Sequence, residues 1–219
     1  MHILLTDFLT CPRCGPELGL ILLADRIQER RVERGSLGCA NCRATYPIRG
    51  GAADLRLSAD PTPGALPAPA GDPAEPALRL AALMGLAEAR GPVLVAGPGA
   101  VLAPALSTLV PEIEVVAFTP EPPDTAPPGN VSPVAGAGAL PFRPRAFRGV
   151  ALTGDTADAL LPEALRVLQP GARVVVDPAP PGTADRAAAL GAAVLLDQEG
   201  VVVARALGEP VPLRMNAIR

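Results

Sequence analysis

The chain has 219 residues, of which 49% are hydrophobic, 19% charged and 2% aromatic, with a formal net charge of −3. That length holds one α/β domain plus a small satellite and can bury a real core. Mean hydropathy is +0.31, yet apolar runs such as Val93 to Ala96 and Arg173 to Val176 are strand-sized, far below the roughly 20 residues of a spanning helix. Asp7 interrupts the only stretch resembling a signal peptide, so a soluble, cytoplasmic protein with no membrane contact is expected. All 19 basic residues are arginine; residues 1–56 carry eight against six acids (net +2) and residues 57–219 carry eleven against sixteen (net −5). Neither part has the basic footprint that phosphate backbones require, which disfavours nucleic acid.

Three zones follow in order. Residues 1–56 hold all four cysteines, the single His and the single Tyr. Within them, Leu18 to Leu23 and Gln28 to Leu37 read as the arms of a hairpin. Residues 57–76 contain prolines at 61, 63, 67, 69, 73 and 76; proline fixes φ and removes a donor, so this is an extended spacer. From Ala77 to Arg219, strand-like runs alternate with helical patterns, the signature of a parallel sheet covered on both faces. Ala77 to Ala89 reads as a helix, Val93 to Ala96 as a buried strand ending in Gly97-Pro98-Gly99, and Val101 to Val110 as a helix with Pro104 in its first turn. Strands are expected at Val115 to Thr119 and Val131 to Ala135. Between them, Pro120 to Pro133 carries six prolines and rules against a helix. Next come a strand over Gly149 to Thr153, a helix over Ala157 to Leu168 stopped by Pro170-Gly171, and a strand over Arg173 to Val176. A helix over Thr183 to Leu190 leads to strands over Ala192 to Leu196 and Val201 to Ala206, paired as an antiparallel hairpin.

Cys11-Pro-Arg-Cys14 and Cys39-Ala-Asn-Cys42 form two C-x2-C units. Two intervening residues let consecutive sulfurs wrap one tetrahedral ion, and Gly15 suits the positive-φ turn that follows. Four thiolates leave no open position, so the metal is structural, zinc first and iron as the alternative. Two disulfides or four inert thiols compete with this reading; the paired spacing and the lack of a secretion signal argue against them. His2 reads as an exposed terminal residue. So small a domain would draw most of its folding free energy from the ion, and stripping it should unfold residues 1–56 while the rest stays folded.

The string Leu4-Leu5-Thr6-Asp7-Phe8-Leu9-Thr10-Cys11-Pro12-Arg13-Cys14-Gly15, with Cys39-x-x-Cys42-Arg43-Ala44-Thr45-Tyr46-Pro47-Ile48-Arg49-Gly50-Gly51, resembles the small zinc-ribbon family that includes the activator subunit of RNA and protein methyltransferases. The resemblance implies a zinc-holding, non-catalytic module that meets a partner through an apolar face and strand pairing. Val93 to Gly99, Ala139-Leu140-Pro141-Phe142 with Phe147, and Pro162 to Val176 resemble the class I S-adenosylmethionine-dependent methyltransferases. Together the resemblances imply an α/β protein: an N-terminal zinc ribbon, then a Rossmann-like, mostly parallel seven-stranded sheet with a terminal antiparallel hairpin.

The ligand positions depart from that second family. Val95 stands where the first strand usually carries an acid, Val101 replaces the third glycine, Thr119 replaces the ribose-gripping acid, Gly136 stands at the adenine-contacting acid, and Arg148 at the Asp after Phe147. Each lost charged acceptor would cost about 1–3 kcal/mol of binding. The expectation is a non-catalytic scaffold, interaction or activator protein with a protein partner or self-association through an apolar face. The alternative is an active methyltransferase binding S-adenosylmethionine through Gly97, Pro98, Gly99, Thr119 and Glu121. A lone glycine-rich turn is weak evidence for a cofactor. Arg143, Arg145 and Arg148 read as a solvated loop and Asp155, Asp158 and Glu163 as helix-start acids. With the histidine and the cysteines accounted for, no nucleophile–His set remains.

Overall fold

A computed structural model describes residues 1–57, 71–88, 91–123, 127–154 and 157–207. Most of the expected spacer (58–70), the last residue of the first expected helix (89) and Asp155 lie outside the described residues.

The chain opens with a 3-10 turn, Ile3–Asp7, whose Leu4 N–H is capped by the His2 ring at 3.3 Å. His2 is thus a half-buried cap, not the exposed end expected. Strand β1 (Thr10–Cys11) pairs antiparallel with β2 (Gly15–Gly19), and Gly15 has φ +99°, as its place after Cys14 requires. Strands β3 (Ile21–Gln28), β4 (Arg31–Gly38), β5 (Thr45–Arg49) and β6 (Ala52–Asp54) follow as an antiparallel meander. The first hairpin turns at Glu29-Arg30, both at positive φ (46° and 65°). Such a two-residue turn matches the twist of its strands, and it corrects the expected arms: Leu18 belongs to β2, and residues 24–28 extend the first arm.

The remaining elements are α1 (Ala74–Met84), β7 (Val93–Ala96), α2 (Ala103–Leu109), β8 (Val115–Thr119), β9 (Val131–Ala135), β10 (Phe147–Leu152), α3 (Ala157–Val167), β11 (Leu168–Val176), α4 (Thr183–Ala189), β12 (Ala192–Gln198) and β13 (Val201–Ala206). Helix α1 starts three residues before the expected Ala77 and stops at Gly85, whose φ of +69° ends it. Pro104 sits in the first turn of α2, after a 3-10 turn over Pro98–Leu102. Pro170-Gly171 does not stop a helix but lies inside β11, where the register with β10 jumps from Leu168 to Arg173. The missing proline N–H falls in that gap in the ladder and costs no bond.

One mixed sheet of eleven strands runs β12-β13-β11-β10-β7-β8-β9-β6-β5-β4-β3. Strands β11, β10, β7, β8, β9 and β6 are mutually parallel, and the two ends are antiparallel. The expected α/β sheet is found in part: it is mixed and continues past β9 into the cysteine-bearing zone. The seven strands from β7 onward keep a terminal antiparallel hairpin, but the cysteine-bearing zone adds four more. The reason is local. No helix forms among the described residues of the proline tract between β8 and β9, and β9 would be an open edge. Instead β6 pairs with it in parallel, with Ala53 opposite Val134 and Asp54 opposite Ala135, and Leu55 N–H donates to Ala135 O at 2.8 Å.

Alternating side chains send the sheet into two cores. On one face Leu94, Val116 and Phe118 pack with Leu5, Leu9 and Leu55 from the N-terminal zone and with Leu161 of α3. On the other, Val93, Val95 and Ala117 pack with Leu80 of α1 and Leu106 of α2. The N-terminal strands are further tied by Thr10 N–H to Pro141 O (2.9 Å) and Arg143 N–H to Phe8 O (2.8 Å). At the opposite end of the strands, Arg31 makes a bidentate pair with Glu114 (3.0 and 2.9 Å), and the wholly buried Ser132 hydroxyl donates to the same carboxylate.

Candidate functional site

Cys11 ends β1, Cys14 precedes Gly15, and Cys39 and Cys42 stand in the connection from β4 to β5. Their four sulfurs lie within 4.8 Å of one another, Cys11–Cys42 at 3.7 Å and Cys14–Cys39 at 3.8 Å. Sulfurs around a tetrahedral zinc with bonds of about 2.3 Å would be roughly 3.8 Å apart, so the set fits such an ion. The Tyr46 hydroxyl is 3.5 Å from Cys11 Sγ, and Asn41 Nδ2 donates to Cys14 Sγ at 3.4 Å. Burial opposes ionisation of Cys11, but hydrogen bonds from Tyr46 and from the Cys14 and Arg13 backbone outweigh it and bring the thiol down to about 6. Cys42 goes the other way, up to about 11: the Ala44 backbone bond favours its thiolate, but desolvation and the three neighbouring sulfurs overcome it. These opposite shifts of Cys11 and Cys42 belong to an interacting pair, and a cation among the sulfurs would favour the thiolate of both. His2 is not part of the cluster.

The second feature is a cleft of about 420 Å³ at the carboxyl ends of β7, β8 and β9, lined among others by Gly97, Phe118, Thr119, Gly136, Leu160 and Glu163. Open parallel sheets bind ligands at this end, beside the strand pair where the chain order reverses, here β7 and β10. Gly97 and Thr119 line the cleft; Pro98, Gly99 and Glu121 are not among its walls. Thr119 donates its hydroxyl to the Glu121 carbonyl at 2.6 Å. Gly99 N–H donates to the Thr153 hydroxyl at 2.7 Å, and that hydroxyl donates to Ala96 O at 2.8 Å.

Both glycines have a packing reason. A Cβ on Gly97, which has φ +89°, would strike the Thr153 carbonyl oxygen, and one on Gly99 would lie 2.6 Å from the Thr153 methyl. Gly136 likewise makes room for the Phe118 ring, 2.8 Å from where its Cβ would be. Glu163, read from sequence as a helix-start acid, instead accepts from Arg166 Nε (3.0 Å) and Leu140 N–H (3.2 Å). Its carboxyl is held below the usual range by the Arg166 hydrogen bonds, against the opposing effect of burial. Arg166 also donates to Phe142 O and Leu140 O (2.7 and 2.8 Å), fixing the segment that ends the cleft. Asp158 is in the first turn of α3 and pairs with Arg186. Arg143 and Arg145 are exposed, as expected of a solvated loop, whereas Arg148 is half-buried within β10 and departs from that expectation. Sequence reasoning missed Thr153 and Arg166. Thr153, the polar residue closing the β10 run, was a visible but unspecific signal.

Residues 2–51 match the family model described as Trm112p-like protein. No curated protein matches the chain. Among solved structures, the chain is similar to the 1,6-didemethyltoxoflavin-N1-methyltransferase of Burkholderia thailandensis at 20% identity, covering 64% of this chain and 80% of that one with a TM-score of 0.49. It is also similar to the 16S rRNA (adenine(1408)-N(1))-methyltransferase of Catenulisporales acidiphilia at 18% identity, covering 66% and 97%, with a TM-score of 0.41. Residues 2–51 thus carry the Trm112p-like pattern, in which the four cysteines stand.

Proposed function

We propose that this chain is a non-catalytic, zinc-binding interaction or activator protein. Its ribbon (1–56) is joined by the spacer (57–76) to a methyltransferase-like unit (77–219) that no longer binds S-adenosylmethionine. Cys11, Cys14, Cys39 and Cys42 hold a structural zinc, which closes the ribbon and supplies no chemistry to the cleft. One observation carries the loss of the cofactor. The groups that the methyltransferase resemblance assigns to a nucleoside are committed elsewhere: Thr119, in the cleft wall, to the Glu121 carbonyl, and Gly99 N–H, which does not line the cleft, to Thr153. Val95 and Gly136 offer no acid either. A nucleoside would leave water for a site with few partners, which costs rather than contributes binding free energy.

A protein partner, or a second copy, would meet apolar side chains that remain free. The outer strand β3 leaves Ile21, Leu23 and Ile27 56%, 62% and 49% exposed. No described helix is long and apolar enough to cross a membrane, and a cytoplasmic setting suits the reduced cysteines of a zinc site. Calorimetry with S-adenosylmethionine and S-adenosylhomocysteine tests the central claim: no heat at millimolar ligand is expected, and micromolar binding overturns it. The second reading, an active methyltransferase using Gly97, Pro98, Gly99, Thr119 and Glu121, is favoured by the persistence of a 420 Å³ cleft at the expected end of the sheet. The same titration decides between them.

A further inference from the structure

We infer that the outer face of β3, β4 and β5 docks an acidic, amphipathic helix of a protein partner. The inference rests on the reading of this chain as an interaction protein and names the chemistry of the partner.

The ladder sorts these strands into two faces. Leu37, Tyr46 and Ile48 are at most 4% exposed and turn into the core; the residues alternating with them turn outward. On that outer face Ile21 stands opposite Gly38, and Gly38 opposite Thr45; Leu23 stands opposite Ser36, and Ser36 opposite Pro47. Such small neighbours leave Ile21 and Leu23 unshielded, and a Cβ added at Gly38 would meet nothing nearer than Ile21 O at 3.9 Å. The next row is basic. The irregularity between Ala24 and Arg26 brings Arg26 opposite Arg34, on the same face as Leu23. One step beyond the Gly35–Ile48 pair, the same ladder puts Arg49 beside Arg34. All three arginines are exposed.

Like charges facing one another across a ladder repel, and little in the chain answers these. Glu33 pairs with Arg26 at 2.7 Å. Among the described residues, Arg34 and Arg49 make no ion pair. Asp54, which feels the charge of Arg49, is itself bonded by Arg56 at 2.8 Å. An anionic partner relieves this repulsion, and the pattern sets its shape. Three arginines on adjacent strands about 4.8 Å apart span roughly 10 Å. On a helix rising about 1.5 Å per residue, carboxylates at i, i+3 and i+7 cover the same distance. Apolar side chains on the adjoining stripe of that helix then fall over Ile21 and Leu23, as in other helix-on-groove contacts. Single-stranded nucleic acid fits less well, because bases hold to such surfaces by stacking on aromatic rings. Tyr46 is the one aromatic residue in these three strands, and it faces the core.

The probe is a fluorescent synthetic helical peptide with Glu at that spacing beside a leucine stripe, titrated by anisotropy into the zinc-supplied full chain. An affinity on the order of 10 μM is expected at low ionic strength, weakened about tenfold by high salt. Arg34→Glu, Arg49→Glu and Leu23→Ser should each weaken it at least fivefold. Arg205→Glu makes the same charge change at an exposed position near the other end of the sheet and should leave it within twofold; circular dichroism verifies all four variants. No binding at low salt, or binding that the two arginine substitutions leave as it was, overturns the inference. So does tighter, equally variant-sensitive binding of a polyuridylate oligonucleotide or of phosphatidylserine vesicles, which puts another class of partner on this face. A failed peptide titration with S-adenosylmethionine inert overturns this inference alone, whereas micromolar S-adenosylmethionine binding overturns the proposed function and this inference with it.

Discussion

The two ends of this chain arrange their polar side chains in opposite ways. In the ribbon, four cysteines, the first and last 31 positions apart in sequence, converge within 4.8 Å, and Tyr46 and Asn41 are aimed at their sulfurs. In the sheet, the strand ends converge just as well, but the side chains there bond nearby backbone or one another: the Thr153 hydroxyl accepts from Gly99 N–H, Thr119 donates to Glu121 O, and Arg166 pairs with Glu163. A metal set that folds its own domain cannot be lost without losing the domain. A ligand cleft can lose its polar contacts while β-strand packing carries the fold.

The sharpest way to test that contrast is to remove the metal. Chelation, or Cys11→Ser, should unfold the ribbon, since zinc contributes on the order of 10 kcal/mol to such domains. Protease sites should open within residues 1–56 while α1 to β13 stay protected, and amide exchange should rise in β9, which loses β6. An apo ribbon that resists protease would break the comparison.

Next in size is the latch between the two parts. Arg31→Ala strands Glu114, whose side chain is only 16% exposed, beside Ser132. A loss of about 2–4 kcal/mol is expected in urea unfolding, the lower figure reflecting partial solvent screening. Thr153→Val comes third, at about 1–2 kcal/mol, because it leaves the Gly99 N–H without its acceptor. The same variant should not create S-adenosylmethionine binding; if it does, the glycine loop had merely been masked.

Tyr46→Phe should change stability little yet speed zinc transfer to a chelator several-fold, because a charge-assisted bond to the Cys11 sulfur is gone. The smallest effect concerns acid. Asp54 and Glu163 both have carboxyls held below the usual range, Asp54 because the Arg56 hydrogen bonds outweigh its desolvation. A depressed folded-state value means the stabilisation is fully present above the ordinary carboxylate pKa, about 4, and is lost progressively as pH falls from there through the lower folded-state value. Urea midpoints should therefore drop below about pH 4.5, and Glu163→Gln should flatten part of that slope.

Much of this architecture is written in local patterns. Val93–Ala96, Val115–Thr119, Val131–Ala135 and Val201–Ala206 are buried runs bounded by turn residues, and each forms a strand with those limits. The C-x2-C units announce their own convergence. What the patterns do not carry is pairing between distant segments. Ala52–Asp54 is three residues long and has no periodicity to advertise that it would add to β9, so a seven-stranded sheet was the natural expectation. The Glu29-Arg30 turn was hidden because neither residue favours positive φ. Thr153 was visible as a polar residue closing a strand, but not its role, which depends on the tertiary approach of two strand ends. The acids missing at Val95, Thr119 and Gly136 were visible; where the cleft's remaining polar groups turn was not.

The register of β6 against β9 has a consequence for synthesis. Ala53 and Val134 are 81 positions apart, so a ribosome making this chain finishes the ribbon well before it makes the strand that covers it. Once metallated, the nascent ribbon carries an open edge for several seconds at ordinary elongation rates of roughly 5–20 residues per second. Short edges resist promiscuous pairing, and β6 is three residues long. Its brevity suits a waiting template: too small to capture a stranger, sufficient to receive β9 once hydrophobic collapse brings it alongside.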